Sequence, residues 1–274
     1  MAGSSFVRLD DGARSILFSG DIGRPDDPVL RPPEAMDGAD YLVVESTYGD
    51  RLHPQEDLVA ELGPALQRLA ARGGVAVVPV FAVGRAQALL HAIAQLKSTG
   101  VIPHGLPVFL DSPMAVHTTH LFSEHPDDHR LSTREVQAMA RAATMIETPE
   151  QSKALANRHG PMVILAASGM ATGGRVLHHL ALYAGNRRNM VILTGYQSPG
   201  TRGARLAAGE SPVRIHGKEV EVAAEVVQLQ SASAHADATQ LLDWLRKMRG
   251  APDQVYVVHG DLAASDALRQ RIEH

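Results

Sequence analysis

Short apolar runs punctuate the chain at residues 16–18, 41–44, 75–80, 108–110, 162–166, 190–193 and 255–258. Two of them end directly on a side chain with chemistry to offer: Glu45 and His259. Runs this brief and this apolar suit strands of a sheet covered on both faces. Between several of them the spacing changes to that of a helix: Leu58, Leu62, Leu66 and Leu69; then Ala88, Leu89, Ala92, Ile93 and Leu96; then Leu241, Leu242, Leu245 and Met248, with Asp237 placed to cap the last. Alternating strand and helix signals predict an α/β architecture. Two stretches read as hairpins, 6–18 around Asp10-Asp11-Gly12 and 213–229 around His216-Gly217. No internal repeat is visible. With 274 residues the chain can build one large domain or two smaller ones. The middle, about 51–217, reads as a unit inserted between flanks 1–50 and 218–274.

The absence of cysteine excludes disulfides, thiolate metal sites and a cysteine nucleophile. Any metal must be held by His, Asp or Glu, and 14 histidines are available. The net charge of −4 supplies no global basic field, so nucleic-acid binding would need a local cluster of the 26 Lys and Arg residues. No run of 18 apolar residues and no signal-peptide core is present. The expectation is a soluble, cytoplasmic protein with no membrane partner.

Four residues at strand ends are candidate site residues. Asp21 sits in a Gly20-Asp21-Ile22-Gly23 turn, which suits an Asx turn as well as a projecting ligand. Glu45 follows the run 41–44, at the edge where α/β sheets place their sites, or serves as a turn or capping acid. His235 stands just before a capped helix, and His259 follows the run 255–258. Each suits zinc ligation through one ring nitrogen, or a hydrogen-bonded structural role.

Eight segments in one order carry a resemblance: Ser-Gly-Asp-Ile-Gly-Arg (19–24), Val-Val-Glu-Ser-Thr-Tyr-Gly (43–49), Val-Phe-Ala-Val-Gly-Arg-Ala-Gln (80–87), Asp-Ser-Pro-Met-Ala (111–115), Ala-Ser-Gly-Met-Ala-Thr-Gly-Gly-Arg (167–175), Gly-Tyr-Gln-Ser-Pro-Gly-Thr (195–201), Ser-Ala-His-Ala-Asp (233–237) and Val-His-Gly-Asp (258–261). The chain strongly resembles the β-CASP branch of the metallo-β-lactamase fold, a branch of RNA-processing nucleases. The resemblance implies a partial metallo-β-lactamase αββα sandwich with an inserted β-CASP α/β domain over about 51–217. It implies a two-zinc ribonuclease, with Asp21 as the bridging aspartate and His259 as a zinc ligand. Glu45 and His235 become the catalytic pair, His235 acting as general acid or phosphate binder and Glu45 orienting it. RNA is the implied partner.

Within that resemblance the loop Ser168, Gly169, Thr172, Gly173, Gly174 and Arg175 is the candidate phosphate site. It lies between a strand and a helix, where backbone N–H groups favour anions. Arg85, Arg175 and Arg202 form a candidate basic set, and Tyr196 a candidate surface for base stacking.

The family's His-x-His-x-Asp-His motif occurs nowhere in these residues. Only Gly3-Ser4-Ser5, after Met1-Ala2, resembles the tail of the segment that normally carries a further ligand histidine. The pairs His117/His120, His125/His129 and His178/His179 are expected to be surface or structural residues. The expectation is therefore the C-terminal, larger part of a ribonuclease, with a non-catalytic RNA-binding or scaffold subunit as the alternative. Half a sandwich should leave one apolar sheet face open, and a homodimer through that face is expected.

Overall fold

A computed structural model describes residues 3–274; Met1 and Ala2, ahead of Gly3-Ser4-Ser5, lie outside the described residues. In chain order the elements begin β1 (Val7–Asp10), β2 (Ser15–Phe18), β3 (Tyr41–Glu45), α1 (Leu58–Arg72), β4 (Val75–Pro79), α2 (Arg85–Ser98), β5 (Val108–Asp111) and α3 (Pro113–Glu124). They continue as α4 (Thr133–Arg141), β6 (Thr144–Met145), α5 (Pro149–Ala154), β7 (Met162–Ala166), α6 (Val176–Tyr183), β8 (Met190–Thr194) and α7 (Arg202–Ala207). The last are β9 (Val213–Ile215), β10 (Lys218–Val220), β11 (Glu225–Leu229), α8 (Ala238–Arg246), β12 (Gln254–Val258) and α9 (Leu262–Glu273). The fold is α/β, as the alternation predicts. No helix among the described residues is long and apolar enough to cross a membrane.

The chain divides into two compact units. Unit 1 is Met1–His53 with Ala234–His274, and unit 2 is Pro54–Ser233. The first division falls three residues after the expected boundary. The second falls later than 217, because β11 pairs in parallel with β8 and completes the sheet of unit 2 as an edge strand. The expected hairpin over 213–229 accordingly shrinks to β9 and β10, joined by His216 and Gly217, both with positive φ. That conformation matches the right-handed twist of the flanking strands.

Unit 2 holds a parallel sheet in the order β11-β8-β4-β7-β5-β6. Every residue of β4, β7 and β8 is buried. Alternate residues Val75, Val77, Ile164, Val191 and Leu193 pack with Leu177 and Leu180 of α6. Residues of the opposite parity, such as Ala76, Val78, Leu165 and Ile192, are equally buried. Coverage of both faces is what keeps a parallel sheet of this apolarity out of water. Asp57 caps α1, its side chain accepting from the Ala60 amide.

Unit 1 holds a sheet in the order β1-β2-β3-β12, antiparallel between β1 and β2 and parallel elsewhere. One face is a core in which Leu17, Leu42 and Val44 pack with Leu241 and Trp244 of α8 and Leu268 of α9. The other face departs from the expectation of strands covered on both sides. Register places Val7, Phe18, Val43 and Tyr256 in one row and Leu9, Ile16 and Tyr41 in the next. Leu9 is 57% exposed and Tyr256 49%. The open apolar face expected from half a sandwich is present among the described residues.

An uncovered apolar face of this kind drives association. Purified alone, the 274-residue chain should self-associate, and light scattering should report a mass well above 29.3 kDa. Phe18→Lys combined with Tyr256→Lys should return the mass toward that of the monomer with little loss of stability. Leu42→Ala, one residue away in parity, should instead cost about 2–5 kcal/mol in a urea melt.

Candidate metal centre and glycine-rich loops

The parallel register of β3 and β12 aligns Glu45 with Val258, and so sets Ser46 and Thr47 beside His259 and Gly260. Ser46 is fully buried, and its hydroxyl joins the two strand ends. Its Oγ donates to the Val258 carbonyl at 2.8 Å and accepts from the Gly260 amide at 3.1 Å. Residue 260 must be glycine, because a Cβ there would stand 2.4 Å from Ser46 Oγ and 2.5 Å from its carbonyl oxygen. His259, held between these contacts, has φ +69°, a left-handed conformation that costs a non-glycine residue energy and needs surrounding structure to maintain it. Asp261 then caps α9, accepting from the Ala264 amide.

The segment 233–237 reaches the same place from the other flank. Gly23 and His235 form an isolated antiparallel bridge. The Ala236 amide donates to the Ile22 carbonyl at 2.8 Å. Asp237 caps α8 in a capping box with Gln240. His53 spans this segment: its amide donates to Asp237 Oδ2 at 3.0 Å and its Nε2–H donates to the His235 carbonyl at 2.8 Å. Burial holds the His53 imidazole below the ordinary histidine range, so it is neutral at pH 7.

The four strand-end candidates thus come together in unit 1 as two pairs. Glu45 is buried, and His235 Nδ1–H donates to its carboxylate at 3.0–3.1 Å. The Ile22 amide at 2.6 Å and the Thr47 amide at 3.3 Å donate to the same carboxylate. Burial alone would raise the Glu45 pKa. The His235 hydrogen bond and charge, with the two amides, outweigh it and hold Glu45 below the ordinary glutamate value. Asp21 and His259 make the second, open pair, with His259 Nδ1 3.6 Å from Asp21 Oδ1. Thr47 Oγ1 shares a hydrogen bond with the same nitrogen at 3.1 Å, which orients the ring.

Metal ligands need free lone pairs. Asp21, Glu45 and His235 offer atoms within 4.8 Å of one another, but Glu45 and His235 are committed to each other and to backbone amides. The Asp21 carboxylate and His259 Nε2 have no hydrogen-bond partner among the described residues, and their side chains are 40% and 57% exposed. They suit two positions around an ion. Catalytic zinc takes three protein ligands, so these residues do not complete a centre by themselves.

In unit 2 the glycine-rich loop sits at the carboxyl end of β7. Ser168 Oγ accepts from the amides of Thr172 and Gly173 at 3.1 and 3.3 Å, so those two donors are already satisfied within the loop. The amides of Gly169 and Met170 have no partner among the described residues. Arg175 turns inward: its guanidinium donates to Asp111 Oδ1 at 2.7 Å and to the Glu147 carbonyl at 2.9 Å. Arg85 is buried and donates to the Thr194 carbonyl at 2.6 Å. Arg202 donates to the carbonyls of Arg214, Ala171 and Thr172. Tyr196 is half-buried beside β8. Each of the three arginines expected to form a basic set therefore spends donors on unit 2 itself.

Asp111 was not singled out as a site residue, although it ends an apolar strand just as Glu45 does. It is wholly buried and accepts from Arg175, from His179 Nε2–H at 2.6 Å and from the Ser152 hydroxyl. His179 is thus structural. So is His129, buried and bonded to the Phe122 carbonyl and the Leu131 amide. Burial pushes the Asp111 pKa up, and its partners His179, Ser152 and Arg175 more than reverse this, holding it below the ordinary aspartate value. A depressed carboxyl stabilises the fold above its unfolded pKa of about 4, and that contribution is lost as pH falls through the folded value. Asp111→Asn should therefore cost about 3–5 kcal/mol at pH 7, by leaving Arg175 without its carboxylate. Urea melts should show the gap between the two proteins narrowing below about pH 4.

Comparison with known proteins gives these positions a family context. Residues 86–206 match the family model of the Beta-Casp domain. Residues 219–274 match that of the Zn-dependent metallo-hydrolase RNA specificity domain, which begins in unit 2 and ends in unit 1. Ribonuclease TTHA0252 of Thermus thermophilus is 39% identical over 269 residues, covering 95% of this chain and 61% of its own length. Transcription termination factor FttA of Methanosarcina mazei is 29% identical, covering 98% of this chain and 45% of its own. Integrator complex subunit 11 of Gallus gallus is 26% identical, covering 99% and 45%. The chain thus spans from under half to about three-fifths of the length of these relatives. With both family models and these relatives aligned along it, the chain belongs to the β-CASP branch of the metallo-β-lactamase fold.

Proposed function

We propose that these residues form the larger part of a zinc-dependent ribonuclease that hydrolyses RNA phosphodiester bonds in RNA processing or decay. The observation that carries this reading is the juxtaposition in unit 1 of a closed pair and an open one. Glu45 and His235 are bonded to each other, while Asp21 and His259 leave free donors. A ribonuclease among the similar proteins, and a family model described as a Zn-dependent metallo-hydrolase, support it.

Asp21 and His259 serve as two zinc ligands, alongside ligands of the His-x-His-x-Asp-His type that these 274 residues do not contain. Zinc, when bound, supplies positive charge to phosphate oxygens and a hydroxide at neutral pH. His235 handles the leaving group. Its Nδ1–H is anchored on Glu45, so the opposite nitrogen, Nε2, carries the proton to the departing 3′ oxygen as the P–O3′ bond breaks. Buried Glu45, held below the ordinary glutamate value, is the fixed acceptor that orients the ring for this step.

A second reading has its own support. Two free donors are fewer than the three of a catalytic zinc site, which suits a non-catalytic RNA-binding or scaffold subunit. Integrator complex subunit 11 is named as part of a complex.

Cleavage of a 5′-labelled single-stranded RNA separates the two. Protein carrying these residues together with the His-x-His-x-Asp-His segment should yield 3′-hydroxyl and 5′-phosphate ends and lose activity in chelator. His235→Ala should lower the rate about 10²–10⁴-fold with RNA affinity unchanged. Products ending in 2′,3′-cyclic phosphate, or activity indifferent to His235, would sink the hydrolytic reading. Stoichiometric zinc with metal-dependent cleavage by the 274-residue chain alone would remove the scaffold reading.

A further inference from the structure

Three adjacent strands of unit 2, in the order β8-β4-β7, end side by side, and the loop after the central one carries an aromatic ring into solvent. Phe81 follows β4, whose residues are all buried, yet it is itself 40% exposed. Its loop is firmly held. The Val80 amide donates to the Ala166 carbonyl at the end of β7, at 3.0 Å. The Phe81 carbonyl accepts from the Ala86 amide at 3.2 Å, and Gln87 Nε2 donates to the Ala82 carbonyl at 3.2 Å. Little conformational freedom is left for a ligand to remove.

One side of the ring lies against the backbone of Gly169. A Cβ at residue 169 would stand 2.5 Å from both Cδ2 and Cε2 of Phe81, so only glycine admits the ring. The Gly169 carbonyl accepts from the buried Gln197 Nε2 at 3.3 Å. The Met170 carbonyl accepts from the Gly203 amide at 3.0 Å. The carbonyls of this turn are thus occupied, whereas its two amides, Gly169 and Met170, have no partner among the described residues. A preformed aromatic surface and two anion-favouring amides thus meet at Gly169.

We propose that Phe81 is a stacking platform for a nucleobase of the RNA, whose adjoining phosphate lies at the Gly169 and Met170 amides. This rests on the reading of RNA as substrate and deepens it by assigning a base-contacting residue. A nucleotide presents a flat apolar face and an anion one sugar apart, and it matches both features at once. An apolar peptide matches only the ring. Stacking tolerates any base but is stronger for purines, so adenine runs bind more tightly here than uridine runs.

The test uses the 274-residue chain and single-stranded RNA containing 2-aminopurine, with no metal required. The unsubstituted chain should quench the 2-aminopurine emission on binding. Phe81→Leu, which keeps an apolar side chain, should lose the quench and weaken binding roughly 5- to 150-fold. Phe81→Tyr should retain both. The slope of affinity against salt should be the same in all three, since no charge is removed. Long-wavelength ultraviolet cross-linking of RNA containing 4-thiouridine should map to Phe81 in the unsubstituted chain, a readout independent of how any variant folds. Full quench and affinity in Phe81→Leu, or cross-links that exclude Phe81, overturn the platform and leave the ribonuclease reading standing. No RNA binding by the unsubstituted chain overturns both.

Discussion

The Ser46 hydroxyl is the contact on which the candidate centre depends. It closes the carboxyl ends of β3 and β12 by bonding to the Val258 carbonyl and the Gly260 amide. Residues more than 200 positions apart in sequence thereby become neighbours. That closure sets the distance between the Glu45 environment and His259, and it holds His259 in a conformation its side chain would not choose. The segment 233–237 then inserts His235 through its bridge to Gly23. The centre is therefore built by strand register, with side chains added to fixed backbone positions.

Two buried carboxylates, Glu45 and Asp111, show how similar local sequence leads to different roles. Both end an apolar parallel strand, both bond a histidine, and both are held below their ordinary pKa by their partners. Asp111 also binds Arg175, a fixed cation, and its histidine, His179, is buried with it. That network ties β5 to α5 and α6 and has no outlet. Glu45 is instead bonded to neutral amides and to a single histidine, His235.

The sequence made much of this legible where a local rule governs. Helical leucine spacing with Asp57 or Asp237 ahead of it yields capped helices because the cap is a contact within three residues. Strand ends mark Glu45 and His259 because a parallel sheet gathers its carboxyl edges. What escaped was decided by distant partners. Nothing near Arg85, Arg175 or Arg202 announces that each faces a carbonyl or carboxylate of its own unit. Nothing in 218–233 announces that β11 pairs with β8 rather than closing a hairpin. Thr47, which orients His259, was visible only as part of a motif around Glu45. The half-open sheet of unit 1 followed from a missing motif, while its apolar strands alone suggested coverage on both sides.

His53 gives the connectivity a mechanical meaning. It is the last residue before the chain leaves unit 1, and it is bonded to both His235 and Asp237, just after the chain returns. Unit 1 therefore meets the whole of Pro54–Ser233 as a single loop whose two ends are already joined. Closing such a loop costs only about 0.6 kcal/mol more for each doubling of its length. The clamp makes unit 1 nearly indifferent to the size of what it carries, so insertions and deletions inside unit 2 leave the residues around His235 in their places.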